Sequence, residues 1–167
     1  IINDDALLYD FSQLKNFKLI SNLPYNISSK FLLKIIKLNK NFTDLVCMIQ
    51  SELADKFDYN KGKINKYKFL TQLCSRYEIK FKVSPNVFYP KPKVYSKVVR
   101  FIIKKQKIDC LKLNYFLNFF FINKRKKIKS NKYFIDQISS KYLNYRYEDL
   151  KYNEVLEIYQ RFKFSVS

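Results

Sequence analysis

Residues 44–50 (DLVCMIQ) form a run in which every position between Asp44 and Gln50 is apolar, and this run restricts the fold more than any other stretch. A half-solvated strand alternates; a strand apolar at each position suits a parallel sheet buried between layers. The flanking pattern agrees. Residues 18–21 predict a short strand ending at Asn22-Leu23-Pro24-Tyr25, because Pro24 lacks the N–H that a central strand needs. Ser28 or Ser29 is placed to cap a following helix, whose stripe is Phe31, Leu32, Ile35, Ile36 and Leu38. Downstream, Ser51 is placed to cap a helix over 51–57, and another is predicted over 67–76 beyond an exposed turn at Gly62. Residues 77–83 and 93–103 alternate as strands near a sheet edge do, with a proline-marked loop, 85–92, between them. Strand–helix–strand order predicts an α/β fold: an open, mostly parallel sheet with helices on both faces.

After Lys104-Lys105 the pattern becomes purely helical, over about 109–122, 133–142 and 153–162. This divides the chain into an α/β unit, residues 1–104, and a small all-helical unit, residues 105–167. Ile1-Ile2 running into Asn3-Asp4-Asp5 reads as a strand entering a loop, so the chain is expected to begin in mid-domain.

Charge points to the partner. Lys and Arg number 33 against 14 Asp and Glu, a formal net charge of +19 whose field attracts polyanions, nucleic acid or an anionic membrane surface. AT-rich codons supply part of the lysine, but not its clustering at Lys124-Arg125-Lys126-Lys127-Ile128-Lys129. Hydrophobic content of 47% argues against disorder. His is absent, so chemistry here works without imidazole. Cys47, Cys74 and Cys110 contain no C-x-x-C pair, which argues against zinc and for reduced, buried thiols in a cytosol. The longest apolar stretch, 113–122, is interrupted by Asn114 and Asn118 and is too short to span a bilayer, and no secretory signal is visible.

Several segments, in order, resemble one family. Asn22-Leu23-Pro24-Tyr25-Asn26-Ile27-Ser28 is similar to the N-L-P-Y-N-I-S motif of the KsgA-type ribosomal RNA adenine N6-dimethyltransferases. Asp5-Ala6-Leu7 resembles that family's D-A motif, and Met48-Ile49-Gln50-Ser51-Glu52 its M-x-Q-x-E strand end. Phe88-Tyr89-Pro90-Lys91-Pro92-Lys93-Val94-Tyr95-Ser96 resembles its F-x-P-x-P-K-V-x-S loop. Phe121-Ile122-Asn123-Lys124-Arg125-Lys126-Lys127 is similar to its F-x-x-R-R-K segment. The Y-G-x-L-S segment is poorly kept near residues 64–69, where Asn65 stands in place of the glycine.

The resemblance implies the later part of a Rossmann-like methyltransferase domain, a helical RNA-binding domain and S-adenosylmethionine as methyl donor. It implies dimethylation of two adjacent adenines in small-subunit ribosomal RNA, by a cytoplasmic monomer (or one in a mitochondrion or plastid) acting on RNA or the pre-ribosomal subunit, without metal or membrane. The residues fit that chemistry. The N6 lone pair of adenine is delocalised, and two acceptors holding its hydrogens localise it. Asn22 offers a side-chain carbonyl, and Pro24 biases Leu23 to an extended conformation that can turn its backbone carbonyl to the second hydrogen. Tyr25, and Phe88 at the head of a proline-stiffened loop, offer ring faces for an extruded base. The resemblance assigns Asp5 to the adenine of the cofactor, with Asp4 as competitor, and Lys124, Arg125, Lys126, Lys127 and Lys129 to phosphates. Gly62 is the only glycine, so the glycine-rich turn for the methionine portion is absent, as is the ribose carboxylate. Alternatives are an Erm-type enzyme acting on large-subunit RNA and a non-catalytic RNA- or DNA-binding relative; the Erm motif usually reads N-I-P-Y, so Leu23 and the basic run favour the small-subunit enzyme.

Overall fold

The computed structural model describes residues 2–38, 42–105, 108–123, 125–132 and 135–163. Strand β1 (Phe17–Asn22) passes into helix α1 (Tyr25–Lys37) with Leu23 and Pro24 alone between them. Pro24, at φ −55°, occupies the N-cap position, because its missing N–H costs nothing where helical amides have no partner anyway. The helix therefore starts earlier than Ser28 and Ser29 suggest. Ser28 is buried in its first turns, donating to the Pro24 carbonyl at 2.8 Å.

Strand β2 (Phe42–Gln50) then leads directly into helix α2 (Ser51–Phe57), so Gln50 and not Ser51 holds the cap position. Helix α3 (Lys66–Cys74) is capped by Asn65, whose side-chain oxygen accepts from the amides of Tyr67 (2.8 Å) and Lys68 (3.0 Å). Strands β3 (Ser75–Val83) and β4 (Ser96–Ile103) complete a sheet of order β1-β2-β4-β3.

The α/β layering is as expected, but the sheet is not mostly parallel. Only β1 and β2 run parallel; β2–β4 and β4–β3 are antiparallel. β3 and β4 are joined without a crossover helix, and such a connection returns the chain beside itself in the opposite direction. β4, expected near the edge, inserts between β2 and β3.

The register sets Leu45 opposite Phe101 and Cys47 opposite Val99, all buried on the face that the helices cover. There Phe57 of α2 meets Phe101 edge-on (5.4 Å), and the Tyr77 hydroxyl donates to the Ala54 carbonyl (2.8 Å). Helix α3 packs against both α2 and α1. The alternate positions point the other way: Ile20 is 84% exposed, and Arg100 holds Asp44 in a two-pronged ion pair that keeps that carboxyl below the usual range. Among the described residues, then, helices cover one face and not both.

The C-terminal part contains helices α4 (Cys110–Phe120) and α5 (Tyr152–Arg161). The helix expected over 133–142 does not form: Tyr133 and Phe134 lie outside the described residues, and 135–142 make two single 3-10 turns, Ile135–Gln137 and Ser140–Tyr142. Ser139 and Ser140 interrupt the run with residues that compete for backbone hydrogen bonds. The Tyr142 hydroxyl instead ties the segment to Glu157 of α5 at 2.6 Å. Phe69 of α3 contacts Phe116, Tyr152 and Tyr159 with ring centroids 5.6–5.8 Å apart, so one aromatic core joins the sheet layer to the C-terminal helices.

Candidate functional site

Parallel pairing sets Asn22 beside Met48, and antiparallel pairing sets Gln50 beside Ser96. The end of β1, the end of β2 and the start of β4 therefore share one rim of the sheet. The chain leaving β1 and the loop entering β4 meet over that rim and enclose a cleft of about 310 Å³. Asn22, Leu23, Pro24, Tyr25 and Met48 form one wall; Phe88, Tyr89, Pro90 and Pro92 form the other. Five residues singled out from sequence, Asn22, Leu23, Pro24, Tyr25 and Phe88, are thus brought together.

Their surroundings fix them differently. Asn22 ends β1 exposed at the mouth of the cleft, whereas Leu23 is buried. The Pro24 carbonyl is taken by the Ser28 hydroxyl and by the amides of Ile27 (3.2 Å) and Ser28 (3.1 Å). Among the described residues the Leu23 carbonyl receives one long contact, from the Ser28 hydroxyl at 3.5 Å, and keeps acceptor capacity. The Tyr25 hydroxyl lies 2.7 Å from that of Ser96, which is fully buried, so the ring is held at both ends. Phe88 is half-buried, after a 3-10 turn (Pro85–Val87) in which Ser84 accepts from the Asn86 amide at 3.2 Å.

Sequence reasoning passed over three contributors. Ser96 lies inside a matched motif with no task assigned to it, and Ser28 is expected only to cap the helix; their roles in the cleft depend on partners that only folding supplies. Tyr89, fully exposed, adds another ring to the wall. No carboxylate, thiol or imidazole stands among the lining residues, so what the cleft offers is rings, an amide and a backbone carbonyl. Burial pushes the thiols of Cys47 and Cys74 up to about 12, which makes both unreactive at neutral pH. Among the described residues no group of three or more potential metal ligands occurs, and no helix is long and apolar enough to cross a membrane.

Asp5 is not among the lining residues. Its carboxylate accepts from the Leu7 amide (2.7 Å), and that of Asp4 from the Asp5 amide (2.7 Å), closing a turn. The Leu7 and Tyr9 carbonyls of this turn accept from Lys34 of α1 at 2.7 and 2.6 Å, which fastens it beside the helix. Both acidic candidates therefore spend a carboxylate oxygen on a local backbone amide. Gly62, the only glycine, lies in the α2–α3 connection at φ +58°, away from the cleft. No glycine-rich turn therefore stands among the described residues that line the cleft.

The basic segment is anchored rather than trailing. Ile128 is fully buried, its amide donates to the Tyr145 carbonyl (2.9 Å), and Lys127 bridges Arg146. Arg125, Lys126, Lys127, Lys129 and Arg146 are exposed around that anchor, and none is ion-paired among the described residues; Lys124 lies outside them.

A model of the family described as ribosomal RNA adenine dimethylase matches residues 1–164. Ribosomal RNA small subunit methyltransferase A of Malacoplasma penetrans is 42% identical over 138 residues, 78% of this chain and 50% of that protein. The same-named proteins of Ureaplasma urealyticum (35% over 162 residues; 87% and 57%) and Hydrogenobaculum sp. (32% over 161 residues; 95% and 63%) are also similar. The chain thus spans about half to three-fifths of the length of these relatives. Two solved structures share its fold: a dimethyladenosine transferase from Plasmodium falciparum (TM-score 0.75, 21% identity, 94% of this chain and 70% of that one) and the 23S rRNA methyltransferase ErmE (0.68, 18%, 96% and 70%).

Proposed function

The chain belongs to the ribosomal RNA adenine dimethylase family, and on that premise we propose that it is the base-holding and RNA-holding part of an enzyme that dimethylates N6 of adenines in small-subunit ribosomal RNA. The observation that carries this reading is the cleft, which gathers Asn22, the Leu23 carbonyl, Tyr25 and Phe88 around a space lined by no carboxylate, thiol or imidazole. An adenine placed there stacks between rings from its two walls, while the Asn22 side-chain oxygen and the Leu23 carbonyl accept the two N6 hydrogens. With both hydrogens held, the nitrogen presents its lone pair to an electrophilic methyl group. S-adenosylmethionine supplies that methyl in this family; Asp5 and Asn22 are the residues here proposed to meet it, with the remainder of its site beyond those present.

In this reading residues 1–104 are part of a Rossmann-like methyltransferase domain, and residues 105–167 hold the RNA. The anchored cations Arg125, Lys126, Lys127 and Lys129, with Lys124, meet phosphates while the cleft takes the base. The partner is ribosomal RNA or the pre-ribosomal small subunit, and the enzyme works as a monomer in the cytoplasm. The names of the relatives, all small-subunit methyltransferases, favour this over the Erm-type and non-catalytic alternatives. The test is mass spectrometry of small-subunit RNA methylated by the protein extended to the length of its relatives. Dimethyladenine that disappears with Asn22→Ala supports the reading; unmodified RNA, or modification indifferent to Asn22, overturns it.

A further inference from the structure

A second cavity, about 340 Å³, opens beside the cleft and shares strand β2 with it: Met48 lines the cleft, and Gln50, the last residue of that strand, the neighbour. We propose that this cavity holds the nucleotide next to the target adenine, its base against Tyr95 and its phosphate between Lys82 and Lys93. The proposal rests on the RNA reading above and adds a subsite to it.

Position is the first argument. Two residues of strand rise about 6.6 Å, a step that one extended nucleotide spans. A base extruded into the cleft pulls its neighbour toward this end of β2. The Ser51 amide donates to the Tyr95 carbonyl at 2.9 Å, continuing the β2–β4 pairing one step past the strands. Tyr95 is therefore fixed immediately before Ser96, the residue that anchors Tyr25. One short backbone segment holds a ring of the cleft and the ring of the second cavity in fixed relation.

Chemistry is the second. Tyr95 is 47% exposed, and the Lys82 ammonium stands 3.7 Å from its ring centre. Lys82 covers one face of the ring and leaves the other to a base, with positive charge close by for that nucleotide's phosphate. Lys93, also exposed, lines the same space, and neither lysine is ion-paired among the described residues. The one carboxylate in the lining, Glu52, is paired with Lys56 at 2.8 Å and so opposes an incoming phosphate little. Gln50 adds an amide that can both donate to and accept from a base edge. A solvated lysine face has no reason to enclose a ring and an amide; a nucleotide subsite needs all three.

The experiment uses the 167-residue chain and RNA hairpins carrying 2-aminopurine either at the target adenine or at each adjacent position. Bound parent protein changes the fluorescence at the target and quenches it at one neighbour. Tyr95→Ala abolishes the neighbour's quenching and weakens binding about five- to hundredfold, as expected for removal of one stacking ring, while the target signal persists. Tyr95→Phe retains both signals. Lys82→Gln with Lys93→Gln lowers the slope of log affinity on log salt by about 0.7–0.9, the share of the one phosphate they hold. If the target responds but Tyr95→Ala and the lysine pair leave neighbour signal, affinity and slope unchanged, the subsite is overturned and the functional reading stands. If no hairpin binds, both fall.

Discussion

The hydroxyls of Tyr25 and Ser96 lie 2.7 Å apart although the residues stand 71 positions apart in the sequence. The bond joins the first residue of α1 to the first of β4 and so couples the two walls of the cleft. Ser96 is fully buried, so its hydroxyl left alone is kept away from water, whereas Tyr25 is half-buried and lines the cleft.

That relationship makes the pair non-additive. Tyr25→Phe should cost about 1–3 kcal/mol, because it strands the buried Ser96 hydroxyl, and Ser96→Ala less, because the half-buried Tyr25 hydroxyl faces the open cleft. The double variant should cost less than the sum. Urea denaturation of the four proteins measures the coupling; strict additivity would show that the two hydroxyls do not meet.

In the protein extended to the length of its relatives, Asn22→Ala should lower turnover much more than RNA affinity, since the acceptor acts chiefly as charge develops on N6. Phe88→Ala should reduce both, by about 1–3 kcal/mol in binding of the extruded base. Single-turnover kinetics with parallel RNA titrations separates the two effects. Equal small losses in both variants would place the chemistry elsewhere.

The 167-residue chain alone should show no micromolar binding of S-adenosylmethionine by isothermal titration, because no glycine-rich turn stands near the cleft. The protein at the full length of its relatives should bind it, and Asp5→Ala should then weaken that binding. Tight binding by the chain alone would mean that these residues form a fuller cofactor site than their geometry implies.

Changing Arg125, Lys126, Lys127 and Lys129 to Gln should weaken RNA binding nearly independently of base sequence. The logarithmic salt slope should flatten by about 0.7–0.9 for each phosphate that is no longer neutralised. Cofactor affinity of the extended protein should not change. A salt titration with a ribosomal RNA fragment decides; an unchanged slope assigns these cations to solvent.

Cys47 and Cys74 titrate near 12 in the folded chain, against an ordinary value of 9.0, because burial penalises the thiolate. A raised folded value means the native state binds the proton more tightly. The associated stability is fully present below pH 9 and is lost as pH climbs toward 12. Each group should contribute a slope of about 1.4 kcal/mol per pH unit within that window. Urea midpoints measured between about pH 8 and 11.5 should fall, and Cys47→Ala should make the fall shallower.

What the sequence determined by itself was local. The apolar run 44–50, the proline at 24 and the stripe from Phe31 to Leu38 each act through neighbouring backbone, so the strands, the helix and the turn between them were legible. The residues of the cleft were legible through motifs whose chemistry, acceptors and rings around an amine, belongs to residue type. Strand direction was not, because an apolar run is equally content beside a parallel or an antiparallel neighbour; the return of β4 between β2 and β3 decided it. Nor was the failure of the helix over 133–142, where Tyr142 bonds to Glu157 of α5 instead of continuing a spiral. The tasks of Ser28 and Ser96 were also hidden, since a hydroxyl carries no sign of its partner. Tertiary structure alone brought Ser96 under Tyr25 and Tyr95 beside Lys82, because register across the sheet is set by packing of whole faces and not by any single segment.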